Sequence, residues 1–282
     1  EYDNPENGWK NLQETMVQML NTMFQALCQE SKIDKEEIKE IDVAANCTMM
    51  HMLLGVDARS IGRAPYKPVF LKAQRLKTKE IGLDAGAETD LYCLPQVSAY
   101  IGADIVAGTY VCGLHKKDDN VLFIDIGTNG EIVLTCRQEI WCCSCAAGPA
   151  LEGMNISCGM RAAEGAIEDV KITENGVKLQ TIGDKTPIGI CGSGILATLK
   201  ELLRNNLVKK TGVFVKKESL KETDYRYPMI RLNGKKREFV IQENPELFVT
   251  QGDIRQVQLA KGAILSGFTA LLQKAGIQME DL

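Results

Sequence analysis

The chain has 282 residues, of which 45% are apolar and 25% charged, enough for one large or two medium soluble domains. A net charge of −4 and a pI near 5.5 provide no long-range positive field, which argues against a nucleic-acid partner. No apolar run reaches the ~18 residues needed to span a bilayer, and the acidic, polar residues after Glu1 do not read as a signal peptide. Ten cysteines are many, but most lie inside apolar runs, where a free thiol behaves as a small hydrophobe. That usage points to the reducing cytoplasm of an anaerobe rather than to a secreted disulfide scaffold.

Residues 9–30 carry Leu12, Met16, Met19, Met23 and Leu27 at helical spacing, which predicts an amphipathic helix with methionine as core filler. Residues 41–45 read as a short strand, Asn46-Cys47-Thr48 as a polar turn, and 49–54 as a helix ending at Gly55. Such a βα junction faces the ligand crevice in open α/β sheets. Thr48 is the expected helix cap. His51 reads as a structural histidine, since no second ligand stands four residues on. Two prolines in residues 63–69 predict an extended crossing, and 90–94 reads as a strand ending at Pro95. Residues 98–108 predict a helix whose Ala99, Gly102, Ala103, Val106 and Ala107 let another backbone pack close. A polar loop, 114–120, follows, and its His115 is assigned no role.

Residues 121–145, VLFIDIGTNGEIVLTCRQEIWCCSC, are three apolar runs separated by Gly-Thr-Asn-Gly and by Arg137-Gln138-Glu139, the pattern of strands joined by tight turns. Two readings of the first turn stand open. It is a hairpin closed by Asn-Gly, or it is a concave nest of amides suited to phosphate, with Gly127 and Gly130 supplying positive φ. In the second reading Asp125, at the end of a buried strand, holds a magnesium-bound water.

Residues 146–167 contain four glycines and a proline but few other loop residues, which suggests backbone lining a site. Glu152, Arg161 and Glu164, taken singly, read as surface charges. Residues 169–181 predict a hairpin around Glu174-Asn175-Gly176. Gly189-Ile190-Cys191-Gly192-Ser193-Gly194 then leads into a helix from Ile195 whose free amides suit an anion. Residues 209–221 and 231–237 are basic, with Lys235-Lys236 at a solvated hairpin tip. The clearest helix runs from Thr250 to Gly276. Thr250 and Asp253 resemble a capping box, and Ile254, Val257, Ala260, Ile264, Phe268, Leu271 and Leu272 form its apolar face.

In this order the pieces resemble the second half of the actin-like ATPase fold, in which the helix before the hairpin links two lobes and the hairpin turn is the second phosphate loop. The motifs go further. DIGTNGE at 125–131, AAGPALEG at 146–153, GMRA at 159–162, GAI at 165–167 and GICGSGI at 189–195 are similar to the reductive activators of corrinoid proteins. So are residues 45–49, the 64–66 turn, Gln251-Gly252-Asp253-Ile254 and Leu259-Ala260-Lys261, although Ala45 stands where that family leads us to expect glycine.

The resemblance implies a partial α/β fold of the actin-like (ASKHA, ribonuclease H-like) type. Residues 1–110 would be the remainder of the first lobe with the linking helix, and 111–282 the second lobe with the phosphate hairpin and an inserted small subdomain. It implies a fragment lacking an N-terminal ferredoxin domain, the first phosphate loop and a late adenosine-side segment. The implied activity is ATP-driven reduction of cob(II)amide to cob(I)amide in a corrinoid methyl-carrier protein, with electrons from the iron–sulfur cluster of the absent domain. ATP phosphates would rest on Gly127, Thr128, Asn129 and Gly130, with Asp125 placing Mg2+ and Glu131 or Glu152 orienting water. Gly148, Gly192, Ser193 and Gly194 would line the nucleotide. The partner would be the carrier, with no nucleic acid and no membrane, and a homodimer is the candidate assembly. Cys142, Cys143 and Cys145 lack a fourth ligand at suitable spacing for a cluster and read as packing. The alternatives are a small-molecule kinase of the same fold and a non-catalytic module that grips the carrier.

Overall fold

The computed structural model describes residues 8–234 and 236–282, so Lys235 of the expected basic tip lies outside the described residues. The chain forms two compact units. The first holds the described residues up to Phe123 with Val133–Cys143 and Ile277–Leu282, and the second holds Ile124–Ile132 with Ser144–Gly276.

The first unit opens with helix α1 (Gly8–Ser31), strand β1 (Glu40–Val43) and helix α2 (Cys47–Leu53). Strands β2 (Gln74–Lys77) and β3 (Asp90–Cys93) and helix α3 (Ala103–Val111) follow. β3 is the middle strand of its sheet, parallel to β1 with Glu40 opposite Asp90, and antiparallel to β2. Parallel neighbours need a crossover, which the chain through α2 provides. Val17, Met50, Leu53, Leu91 and Cys93 fill the core.

Several expectations are corrected here. The cap of α2 is Asn46, not Thr48, because the Asn46 side chain accepts the Met49 N–H at 2.9 Å. The predicted 98–108 helix begins only at Ala103. Before it, the Ser98 hydroxyl accepts the N–H groups of Tyr100 and Ile101, both at 3.1 Å, and holds a turn. Close backbone approach does occur, at Gly102, where a β-carbon would stand 2.6 Å from the Asn46 Cα. Residues 63–69 contain a turn, with the Tyr66 N–H donating to the Arg63 carbonyl at 2.7 Å. Met16 of α1 is half-buried against the core as expected, but Met19 and Met23 are not core filler. Met19, Met23 and Leu27 are 56%, 55% and 58% exposed, and Met23 and Leu27 border an apolar groove with Ile41 and Met49. His51 is fully buried and stacked on Phe70 at 4.3 Å, the structural role expected of it.

Strands β4 (Val121–Ile126), β5 (Gly130–Cys136) and β6 (Glu139–Cys145) form one sheet in that order. The connections are short enough only for hairpins. The second of them, Arg137-Gln138, holds φ of 51° and 65°.

The second unit adds β7 (Ala166–Thr173), β8 (Gly176–Thr181), β9 (Gly189–Ile190) and helix α4 (Gly192–Arg204). After these come β10 (Ile230–Asn233), β11 (Lys236–Gln242), β12 (Leu247–Thr250) and helix α5 (Gln251–Ala275). The sheets run β8-β7-β9 and β10-β11-β12. α4 packs on β7, and its buried Glu201 accepts the Ile172 N–H at 2.9 Å. A single apolar core from Ile167 and Ile195 through Phe214, Phe239 and Ile254 joins these layers. The capping box of Thr250 and Asp253 starts α5 as expected, and Gly276 ends it in the left-handed conformation at φ 69°. No helix among the described residues is long and apolar enough to cross a membrane.

Candidate functional site

All the residues expected to handle phosphate fall in the second unit. The turn at Gly127-Thr128-Asn129 is closed by a Gly127 N–H to Asn129 carbonyl bond of 2.9 Å. Asp125, Thr128 and Asn129 are exposed, so Asp125 ends an open strand rather than a buried one. Neither Gly127 nor Gly130 adopts the left-handed conformation that the sequence suggested. Gly130 is required for a different reason. A β-carbon there would stand 2.9 Å from Ile264 Cγ1 and 3.0 Å from Cys145 Sγ. Gly127 meets no such obstacle, its nearest neighbours being Glu152 Oε1 at 3.7 Å and the Asn129 carbonyl at 3.8 Å.

Glu152 comes to the turn from a short 3-10 helix, Pro149–Glu152. Its carboxylate accepts the Thr128 hydroxyl at 2.5 Å, which ties the turn to the glycine-rich segment. Gly148, at φ 77°, begins that helix with open space where a side chain would stand. Beyond it the glycines serve packing more than lining. A β-carbon on Gly153 would lie 2.2 Å from the Met160 carbonyl oxygen, and one on Gly159 only 1.9 Å from that of Gly153. Ser157 anchors the segment to α5 through two bonds to the buried Asp253 carboxylate, at 2.8 Å and 3.1 Å. Arg161 and Glu164 are exposed.

Glu131, the other candidate carboxylate, accepts from the Ser144 hydroxyl on the neighbouring strand at 3.0 Å. The structure thus gives the two acids separate surroundings, with Glu152 at the turn and Glu131 on the sheet. Ser144 and Ile264 were not legible as partners, because only strand pairing and helix packing bring them near.

α4 begins at Gly192, three residues earlier than expected, and no side chain caps it. Its two glycines pack internally rather than standing open. β-carbons on Gly192 and Gly194 would fall 1.8 Å from the Leu151 carbonyl oxygen and 2.0 Å from that of Ile167. Ser193 is exposed, its hydroxyl 3.2 Å from Cys191 Sγ. Since Leu151 precedes Glu152, this packing sets the start of α4 against the segment that reaches the phosphate turn. Burial pushes the thiols of Cys142 and Cys145 up, and Cys145 donates to the Gly130 carbonyl at 3.1 Å. Both side chains serve the sheet.

The β-hairpin turn, the carboxylate bonded to it and the uncapped start of α4 all belong to an ASKHA-type domain. Two family models divide the chain between them. Residues 119–282 match the C-terminal ASKHA domain of RACo, and residues 1–117 match the RACo middle region. The chain belongs to the RACo family. It is 33% identical over 294 residues to the corrinoid activation enzyme RamQ of Eubacterium limosum, covering 99% of this chain and 48% of RamQ. It is 24% identical over 304 residues to the [Co(II) methylated amine-specific corrinoid protein] reductase of Methanosarcina barkeri, covering 95% of this chain and 51% of that one. A solved structure titled reductive activator for corrinoid, iron–sulfur protein superposes with a TM-score of 0.84 at 35% identity, covering 99% of this chain and 45% of that one. The chain therefore spans about half the length of the relatives it matches.

Proposed function

We propose that this chain is the nucleotide-handling part of an activator that uses ATP to return a corrinoid carrier protein from cob(II)amide to nucleophilic cob(I)amide. The electrons would come from an iron–sulfur domain outside this chain. The terminal phosphates of ATP would rest on the turn at Gly127, Thr128, Asn129 and Gly130, where the Gly127 N–H is already engaged by the Asn129 carbonyl, and Asp125 would orient the water shell of Mg2+. Magnesium, when bound, neutralises charge on the phosphate oxygens. Glu152 is the better placed of the two acids to orient the attacking water, because its carboxylate already borders Gly127 and Thr128. Gly148 adds open backbone beside it, and the uncapped start of α4 at Gly192, Ser193 and Gly194 presents its positive end to anionic groups. In such chemistry the protein acts mainly by placement and charge. The proposed setting is the reducing cytoplasm of an anaerobe, in keeping with ten free cysteines, and the proposed assembly is a homodimer.

One observation carries the nucleotide assignment. A side chain at Gly127 would find only ordinary contacts at 3.7 Å and 3.8 Å, and its φ is not left-handed, so the fold itself does not require glycine there. The close approach of a ligand does. Gly127→Val should leave the thermal unfolding of the protein intact while lowering ATP affinity at least about tenfold, a loss of about 1.4 kcal/mol. Unchanged ATP affinity in a folded variant removes the assignment. In the complete protein, ATP-dependent loss of the cob(II)amide paramagnetic signal is the expected product readout, and a phosphorylated small molecule would speak for a kinase instead.

A further inference from the structure

The first unit carries a cavity of about 280 Å³ beside α3. Ile101, Ile105 and Val133 form its buried floor, while Val97, Tyr110 and Ile140 are exposed at its rim. The apolar surface continues outward. Tyr100 follows Val97 and is 56% exposed, and its ring meets that of Tyr66 at 6.0 Å. Tyr66 stands on the loop at residues 63–72, which also exposes Val69 and Leu71. At the other side Tyr110 is 69% exposed and stacked on His115 at 5.2 Å.

The loop is held firmly. The Val69 N–H donates to His51 Nε2 at 3.1 Å, Phe70 stacks on the His51 ring at 4.3 Å, and the Gln96 N–H donates to the Leu71 carbonyl at 2.8 Å. A surface fixed in this way loses little freedom on binding.

Its charge runs against that of the whole chain. Between residues 58 and 79 stand seven cations and no Asp or Glu, in a protein of net charge −4. Arg59 is paired with Asp57, and Arg75, Lys77 and Lys79 with Glu40, Glu88 or Asp90. The loop itself exposes Lys67 and Lys72, and also Arg63, which lies within the field of Asp57. Lys116 and Lys117 follow His115 at the far rim, with Asp118 and Asp119 the next residues along.

We propose that this face docks an acidic protein surface, with one protruding apolar side chain seated in the cavity and carboxylates set against the cations of the 63–72 loop. Interface energy concentrates where an anchor fills a pocket rimmed by aromatic side chains, and tyrosine and arginine are favoured there. Complementary charge supplies orientation and speed of encounter. Nucleic acid fits less well, because the centre of the face is an apolar cavity with no groove of cations across it. The inference stands apart from the nucleotide reading, since every residue it uses lies in the first unit.

The test uses the 282-residue chain and a fluorescent peptide with one phenylalanine flanked on both sides by glutamates, followed by anisotropy at low salt. The expected result is binding about tenfold tighter than that of the same peptide with alanine at the centre, weakening steadily as salt screens the charges. Lys67→Glu combined with Lys72→Glu, and separately Ile140→Asp at the exposed rim, should each weaken binding about tenfold with circular dichroism unchanged. Equal affinity for the alanine peptide overturns the proposal, as does indifference to salt. Tighter binding of a single-stranded oligothymidylate reassigns the face to nucleic acid and overturns it too. Peptide binding that vanishes as the chain dimerises with rising concentration gives the face to a second copy, and the proposal falls in that case as well.

Discussion

Gly127 and Gly194 both follow short apolar strands, and both belong to stretches proposed to meet phosphate. A methyl group at Gly127 would meet nothing nearer than 3.7 Å, whereas at Gly194 it would fall 2.0 Å from the carbonyl oxygen of Ile167. Neither residue is left-handed. Two different demands therefore lead to the same residue type. At Gly194 the demand is internal, since α4 can sit on the strand backbone only where no β-carbon intervenes. At Gly127 neither φ nor a neighbouring atom asks for glycine, and the proposed approach of a nucleotide would account for it. Gly192, with its β-carbon position 1.8 Å from the Leu151 carbonyl, belongs with Gly194.

Stability measurements can break this contrast directly. Gly194→Ala forces backbone apart in a buried layer and should cost about 3 kcal/mol, read from the urea midpoint at constant slope. Gly127→Ala should instead raise stability by about 0.4–1 kcal/mol, because its conformation suits alanine and the unfolded chain loses freedom. ATP affinity should move the opposite way, falling in Gly127→Ala while its fold improves. Equal destabilisation by the two substitutions would end the distinction.

A pH profile sharpens the same contrast by isolating the other unit. His51 Nε2 accepts the Val69 N–H, so Nδ1 carries the proton and donates to the Cys47 carbonyl at 2.7 Å. Burial lowers the pKa of this ring below its ordinary 6.5, with the Cys47 bond opposing more weakly. The unfolded chain then takes up the proton at higher pH than the folded one. Stability is accordingly full above 6.5 and declines as pH falls from there towards the folded pKa. His51→Gln should flatten that decline in thermal melts. A Gly194→Ala defect that grows in step with it would mean the defect is not local to α4.

Much of the second unit was legible because its signals are local. The Thr250–Asp253 box, the Gly276 stop and the Glu174-Asn175-Gly176 turn each specify their own backbone within a few residues. In the candidate site the structure brings the expected Glu152 to the expected Thr128, but the reason for each glycine was not legible. Whether a glycine answers to φ, to a neighbouring carbonyl or to a ligand depends on which distant strand lies behind it. The helix α1 formed as expected, but the burial expected of its apolar face failed in part for a related reason. Helical spacing marks Met19, Met23 and Leu27 as an apolar face, yet spacing cannot say whether anything covers that face. The 98–108 helix lost its first turn to the Ser98 hydroxyl, a local competitor that periodicity does not register.

The last contrast concerns the other hairpin of the same sheet. Asn129-Gly130 is the dipeptide most associated with a two-residue hairpin, yet neither residue takes positive φ, whereas Arg137 and Gln138 both do, at 51° and 65°. A left-handed residue with a β-carbon costs about 1–2 kcal/mol over glycine, less for asparagine. The β5–β6 turn thus holds a strain that the better turn residues would remove, while the β4–β5 turn keeps those residues without using their conformational freedom. Arg137→Asn with Gln138→Gly should stabilise the protein by about 1 kcal/mol and leave ATP affinity unchanged. A gain in stability without loss of nucleotide binding would locate structural demand at 137–138 and ligand demand at 127–129. A loss of ATP affinity from the 137–138 change would show that the two turns are not independent, and would weaken the case that Gly127 alone answers to the ligand.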